Sequence, residues 1–205
     1  MLIEFDHVFG DCLEDFSLCF ELKGTTVIHD PSEQTSPSLL STLVGLEPVR
    51  QGEIRLDGTP FDIFFEGHEL PRVFGHIFDE GIMLSNLSLQ ENLLLPYQWL
   101  HQGKDDLAGF EEELQKWLEV FDLKPDLNQR PALFRPAALK LLSYIRTLML
   151  KPQFLIIDDP YYLFNKNERS TIFRVLDGLR ADQTMLIASA DDDFTTGFAD
   201  QVIEL

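Results

Sequence analysis

The spacing of apolar and polar positions changes period several times along the chain. Leu2-Ile3-Glu4-Phe5 reads as a short strand, and over residues 16–22 Phe16, Leu18, Phe20 and Leu22 alternate with polar or smaller neighbours. That period of two predicts a half-buried antiparallel strand. Lys23-Gly24 makes a turn into a β-branched run over 25–28, and residues 30–36 carry loop chemistry. Ser36 as N-cap and Pro37 at the first helical position then predict a helix running to Gly45. Residues 52–58 form a glycine-bounded strand ending in an Asp57-Gly58 turn, and 73–78 supply a further short strand.

From Gly81 the texture becomes helical. Ser88-Leu89-Gln90-Glu91 is a capping box that opens a helix towards Leu100. A second helix over 110–121 places Leu114, Trp117, Leu118 and Phe121 on one face, and a third over 136–150 does so with Leu141, Leu142, Ile145, Leu148 and Met149. The apolar run 154–157 suits a central parallel strand, followed by a helix over 166–180, a strand over 185–189 and a closing strand over 201–205. Strands alternating with helices, interrupted by an all-helical insertion, give an α/β class with two lobes. The sequence contains no internal repeat and no low-complexity tract.

Composition narrows the picture. A chain of 205 residues with 44% hydrophobic side chains can bury one sizeable core with a smaller attached lobe. It has no apolar run of about eighteen residues, and the first residues lack a leader pattern, so a cytoplasmic protein is expected. Cys12 and Cys19 lack metal-site spacing and are read as reduced thiols. The 16 Lys and Arg against 35 Asp and Glu leave a net charge of −19, which excludes nucleic acid as a direct partner. Glu111-Glu112-Glu113 and Asp191-Asp192-Asp193 are read as solvated helix or loop faces.

The segments between the loops carry a resemblance. Residues 38–46 with 52–58, then Leu87-Ser88-Leu89-Gln90-Glu91-Asn92, then 151–160 and 199–205, are similar in order and spacing to the nucleotide-binding domain of ABC transporters, over essentially the whole chain. The resemblance implies one domain over 1–205. Its α/β, P-loop NTPase-like core, with a parallel central sheet and an antiparallel β subdomain, would occupy 1–80 and 147–205, and an inserted helical subdomain 81–146.

The family's chemical motifs are where the chain departs. Its phosphate loop, GxxxxGK[S/T], turns backbone N–H groups and a Lys on the phosphates, with the final hydroxyl on magnesium. The aligned residues are 30–37: Asp30 and Thr35 replace the glycines, Ser36 the lysine and Pro37 the hydroxyl residue. Asp30 and Glu33 bring negative charge to the place of a polyanion, and two like charges about 4 Å apart repel by roughly 4 kcal/mol at an effective dielectric of 20. Pro37 also removes a donor from the helix start. Asp79 replaces the Q-loop glutamine, residues 134–138 replace the LSGGQ signature, Asn165 the D-loop aspartate and Ala190 the switch histidine.

Asp158 and Asp159 remain at the Walker B positions that hold magnesium and polarise water, and are read as vestigial. Phe9 stands where the family stacks an aromatic on adenine, and is read as core or partner contact. Tyr161-Tyr162-Leu163-Phe164 admits either local burial or a contact surface.

The implied function is a non-catalytic subunit of a membrane transport complex, held at the cytoplasmic face by docking on a permease. Asp79, Glu80, Leu84 and Leu87 are the docking candidates, and the chain would pair with itself or with another ABC ATPase-like subunit. No cofactor or metal is expected. One alternative is a soluble regulatory module paired with another ATPase subunit. A second is an atypical, weakly active ATPase, the one case that calls for ATP and magnesium.

Overall fold

The computed structural model describes residues 1–100 and 107–205. In chain order the elements are β1 (Leu2–Phe9), β2 (Phe16–Glu21), β3 (Thr25–His29), α1 (Ser36–Leu43), β4 (Gln51–Leu56), β5 (Thr59–Pro60), α2 (Phe61–Phe65), α3 (Leu70–Val73) and β6 (Phe74–Ile77). There follow α4 (Leu89–Leu100), α5 (Leu107–Val120), α6 (Pro136–Leu148), β7 (Phe154–Asp158), α7 (Lys166–Leu179), β8 (Thr184–Ser189), α8 (Asp192–Phe198) and β9 (Gln201–Glu204). They divide into two units, one of residues 1–76, 153–160 and 180–205, the other of 77–152 and 161–179.

The first unit holds an antiparallel sheet in the order β2-β1-β4-β5 and a five-stranded sheet in the order β6-β7-β8-β3-β9. In the antiparallel sheet Ile3 stands opposite both Phe20 and Leu56, so the residues that alternate inward in sequence meet across the ladder and are buried. A bulge interrupts β1, where His7 takes a φ of +49°. Gly52 faces it with a φ of +84°, and a Cβ there would lie 2.2 Å from the carbonyl oxygen of His7. Only glycine fits that crossing.

In the second sheet β7, β8, β3 and β9 pair in parallel. The runs in β3, β7 and β8 are buried nearly throughout, as strands covered on both faces require. Leu39, Leu40 and Leu43 of α1 join Ile28, Ile156 and Leu186 of this sheet and Ile3, Phe5 and Ile54 of the other in one core cluster. The parallel register sets His29 beside Ser189 and Asp158 beside Ala188. The carboxyl ends of β3, β8 and β7 thus form one edge, the side on which parallel α/β sheets carry their ligand sites.

The second unit is helical. Its capping box is formed: the N–H of Ser88 donates to Glu91 Oε2 at 2.7 Å and the N–H of Glu91 to Ser88 Oγ at 3.2 Å. Leu141, Leu142, Tyr144, Ile145 and Leu148 of α6 are buried, and α6 packs on α4 and α5. Pro96 lies inside α4, where it removes one helical donor.

The antiparallel and parallel sheets and the helical unit agree with the fold class read from the sequence. One cap differs. Thr35, not Ser36, is the N-cap of α1, and Ser36 and Pro37 are its first two residues. The helical ladder starts one residue earlier, with the Thr35 carbonyl accepting the N–H of Leu39 at 3.0 Å, and the N–H groups of Thr35 and Ser36 are taken by a carboxylate in the loop before the helix. The short helices α2, α3 and α8 were not foreseen; α8 opens on the acidic run, with Asp191 Oδ1 accepting the N–H of Phe194 at 2.8 Å.

Leu40 has no exposed surface. Leu40→Ala is expected to destabilise the first unit by about 2–5 kcal/mol through lost burial and a residual cavity, measured by denaturant unfolding.

Candidate functional site

The chain leaves β3 at His29 and reaches α1 through residues 30–35. The N–H of Asp30 donates to the carbonyl of Ser189 at 3.2 Å, tying the loop to the end of β8. The carboxylate of Asp30 turns inward and is only 1% exposed. Its Oδ1 accepts the N–H and the hydroxyl of Ser32 at 3.1 and 2.7 Å, and its Oδ2 accepts the N–H groups of Thr35 and Ser36, both at 2.9 Å. Burial pushes this carboxyl up, but the hydrogen bonds from Ser32, Ser36 and Thr35 outweigh it and hold it at about 2. At neutral pH the start of α1 therefore faces a fixed anion.

Glu33 stands at the tip with a φ of +54° and an exposed side chain, its N–H closing a turn on the carbonyl of Asp30 at 3.0 Å. Thr35 makes no side-chain cap, Ser36 is buried, and Pro37, in the first turn, has no N–H to offer. Residues 30–38 contain neither Lys nor Arg.

The other strand ends complete this edge. Asp158 closes β7, and Asp159 follows with a φ of +33° and its N–H on the carbonyl of Ala188 at 3.1 Å. Asp30 and Asp159 thus hang from successive carbonyls of β8. Ala190 brings no polar side chain, and the N–H of Asp191 donates to Ser189 Oγ at 3.1 Å. His29, which the sequence did not single out, is held between Glu204 Oε2 at 2.8 Å and Asp192 Oδ1 at 3.0 Å. Phe9 is half-buried at the end of β1, its carbonyl accepting the N–H of Arg50 at 2.8 Å.

In the helical unit Asp79 and Glu80 are exposed, and Asp79 Oδ1 accepts the N–H of Glu80 at 2.7 Å. Gly81 lies against α6 so closely that a Cβ would come within 2.2 Å of the Leu139 carbonyl carbon. Asn92 of α4, missed in the sequence, clasps the next stretch: its Oδ1 accepts the N–H of Leu84 at 2.7 Å, and its Nδ2 donates to the carbonyls of Leu84 at 3.1 Å and Ser88 at 2.9 Å. Leu87 is half-buried, while Ile82, Leu84, Leu95 and Trp99 are each more than half exposed. A Leu and a Trp four residues apart, off the face formed by Leu93, Tyr97 and Leu100, were the available sequence signal.

The remaining motif positions are engaged locally. Arg135 is the N-cap of α6 and pairs with Glu168 of α7. Asn165 Oδ1 caps α7 by accepting the N–H groups of Asn167 at 3.0 Å and Glu168 at 3.2 Å, and Glu168 Oε2 accepts the N–H of Asn165 at 3.0 Å. Lys140 is fully buried, with Nζ 3.3 Å from the carbonyl oxygen of Tyr162 and over the rings of Tyr162 and Phe164. Phe164 is buried and Tyr162 turns outward, so the apolar turn is mainly packed on its own unit. Among the described residues no helix is long and apolar enough to cross a membrane, and no group of three or more His, Cys, Asp and Glu is placed to hold a metal.

The family model for ABC transporters matches residues 13–162. The chain is 25% identical to the molybdenum import ATP-binding protein ModC of Hahella chejuensis over 83% of its own length and 46% of that protein's. To the glutamate/aspartate import ATP-binding protein GltL of Escherichia coli K12 it is 28% identical, over 86% of the chain and 73% of the relative. The chain spans about half the length of the ModC proteins it matches, 46% and 53%. In fold it resembles cbiO1 of Clostridium perfringens, part of the transporter complex cbiONQ, with a TM-score of 0.73 at 16% identity over 98% of this chain and 83% of that one. It also resembles an ATP-binding subunit of an ABC transporter with a TM-score of 0.78 at 19% identity, over 100% and 86% of the two chains.

The depressed carboxyl of Asp30 sets a pH dependence. A group whose folded value of about 2 lies below its ordinary 3.8 contributes stability that is complete above 3.8 and lost as pH falls through about 2. Acid titration of thermal stability is expected to show a component between those values that Asp30→Ala lacks.

Proposed function

The chain belongs to the ABC transporter family, as a nucleotide-binding domain, and on that premise we propose that it is a non-catalytic subunit that docks on a membrane permease without hydrolysing ATP. The observation that carries this reading is the buried Asp30 carboxylate on the N–H groups of Ser32, Thr35 and Ser36. A triphosphate brought to these amides meets an anion already holding them, against a repulsion of roughly 4 kcal/mol per charge pair at about 4 Å. The neighbouring residues do not compensate. No Lys or Arg lies in 30–38, Pro37 stands at the position of the magnesium-binding hydroxyl, and Asp158 and Asp159 lack a phosphate to act on. Magnesium triphosphate does not fit this donor set.

The helical unit supports the docking half. Asn92 fixes Leu84 on α4, and Ile82, Leu84, Leu95 and Trp99 leave large apolar surface in water. Large apolar side chains left exposed on one helix and the stretch before it favour an interface there. Asp79 and Glu80 flank the stretch with negative charge, which favours a basic rim on the permease segment. The relatives' names place them in import systems, and we assign this chain to the same kind of complex. There it sits at the cytoplasmic face through its permease and pairs with itself or with another ABC ATPase-like subunit.

Titration of the purified chain with magnesium-ATP is expected to show no saturable binding at millimolar nucleotide. Saturable binding abolished by Asp158→Asn overturns the non-catalytic reading in favour of an atypical ATPase. The docking half is read from detergent-solubilised membranes: the chain is expected to retain a multi-span permease, and Leu84→Asp with Trp99→Asp to lower its capture by about tenfold or more, as loss of central apolar anchors does. Undiminished capture sinks the assignment of this surface, and absence of any permease favours the soluble regulatory module.

A further inference from the structure

We propose that Asp30 is a built-in anion that takes the place of a phosphate in this loop, so that the subunit holds the loop and the start of α1 in one conformation without a ligand and bars other anions from it. The proposal rests on the non-catalytic reading above and adds what the altered loop does. Four donors converge on the two carboxylate oxygens: the N–H and hydroxyl of Ser32 on one, the N–H groups of Thr35 and Ser36 on the other. Those backbone groups belong to the first turn of α1 and the turn before it, the donors that a helix start presents to an anion.

The cradle is shaped as well as filled. Glu33 adopts the left-handed region at a φ of +54°, which folds the turn back so that its N–H reaches the carbonyl of Asp30 at 3.0 Å. The N–H of Asp30 is fixed to Ser189 at 3.2 Å, so the carboxylate is aimed from a rigid strand end. The side chain is 1% exposed, which leaves solvent anions no open approach to the oxygens' partners.

An anion at this place does two things for the fold. It satisfies amides that would otherwise lack partners beneath the loop, and it opposes the positive end of the α1 dipole. Here a side chain does both, and α1 keeps its seat on the sheet in the absence of any ligand.

The test is rescue by inorganic phosphate. Thermal unfolding of wild type, Asp30→Gly and Asp30→Ala is followed in low-millimolar phosphate and in chloride of equal ionic strength. At these concentrations exclusion effects are small and site binding dominates. In chloride the two variants are expected to melt roughly 5 °C or more below wild type, as loss of several charge-assisted hydrogen bonds implies. Phosphate is expected to recover at least half of that loss in the variants and to leave wild type unchanged. Variants as stable as wild type in chloride, or destabilised variants that phosphate moves no more than it moves wild type, overturn the proposal.

Should the small variants fail to fold, Asp30→Asn keeps the volume and one acceptor oxygen without the charge. It is expected to lose part of the stability with no phosphate response, and an Asn variant that melts with wild type overturns the proposal equally. Magnesium-ATP titration of the wild type runs in parallel. Saturable binding there tells against the non-catalytic reading, whereas absent rescue tells against the built-in anion alone.

Discussion

The junction between β3 and α1 is where the first unit is held together, and it turns on one buried carboxylate. β3 lies between β8 and β9, and α1 contributes Leu39, Leu40 and Leu43 to the core shared by both sheets. The connection between them is exposed over residues 31–34 but withdraws from solvent at Thr35 and Ser36, and an unsatisfied buried N–H costs about as much as a lost hydrogen bond. Asp30 resolves this by accepting the donors of Thr35 and Ser36 from five and six residues away. With that end of α1 fixed, its three leucines face the sheet in a single register, and the parallel pairing of β3 with β8 and β9 has a lid.

Polar groups in the helical unit are likewise met by partners within the chain. Asn165 and Glu168 cap α7 reciprocally, Arg135 is tied to Glu168, and Lys140 is buried under the rings of Tyr162 and Phe164. A buried lysine is costly unless its charge is met, and here a carbonyl and two ring faces meet it. Polar groups in both units have thus been drawn into contacts that stabilise the chain itself. By contrast, Ile82, Leu84, Leu95 and Trp99 have no such inward partner in burial terms and remain in water.

Legibility followed the range of the forces involved. The alternation of Phe16, Leu18 and Phe20, the apolar run of β7 and the Ser88–Glu91 box are local patterns, and each formed where the sequence placed it. Helices α2 and α3, of five and four residues, are too short to show a period and went unread. The cap of α1 lies one residue before the one that Ser36-Pro37 predicts, because that pair has the right chemistry for a local cap, while the N–H groups of Thr35 and Ser36 are held from outside the helix by Asp30. That residues 30–38 contain no Lys or Arg is legible from residue types alone. That Asp30 turns inward, whereas Glu33 stays in solvent, depends on the tertiary hold of Ser189 on the loop, which no local pattern reports. Asn92 escaped notice for a similar reason, since its partner is the backbone of Leu84 in a segment without secondary structure.

These two acidic positions, three residues apart, carry the central physical distinction. An exposed carboxylate such as Glu33 is screened by water and salt, and by itself it weakens polyanion binding only modestly. A buried carboxylate that accepts four hydrogen bonds must be displaced, and displacement leaves either an unpaired buried charge or a rebuilt loop. Under the proposed non-catalytic reading, the barrier to triphosphate is therefore structural before it is electrostatic. Placing a lysine at position 36 alone would add a cation beside a loop whose Thr35 and Ser36 amides are already bonded to Asp30.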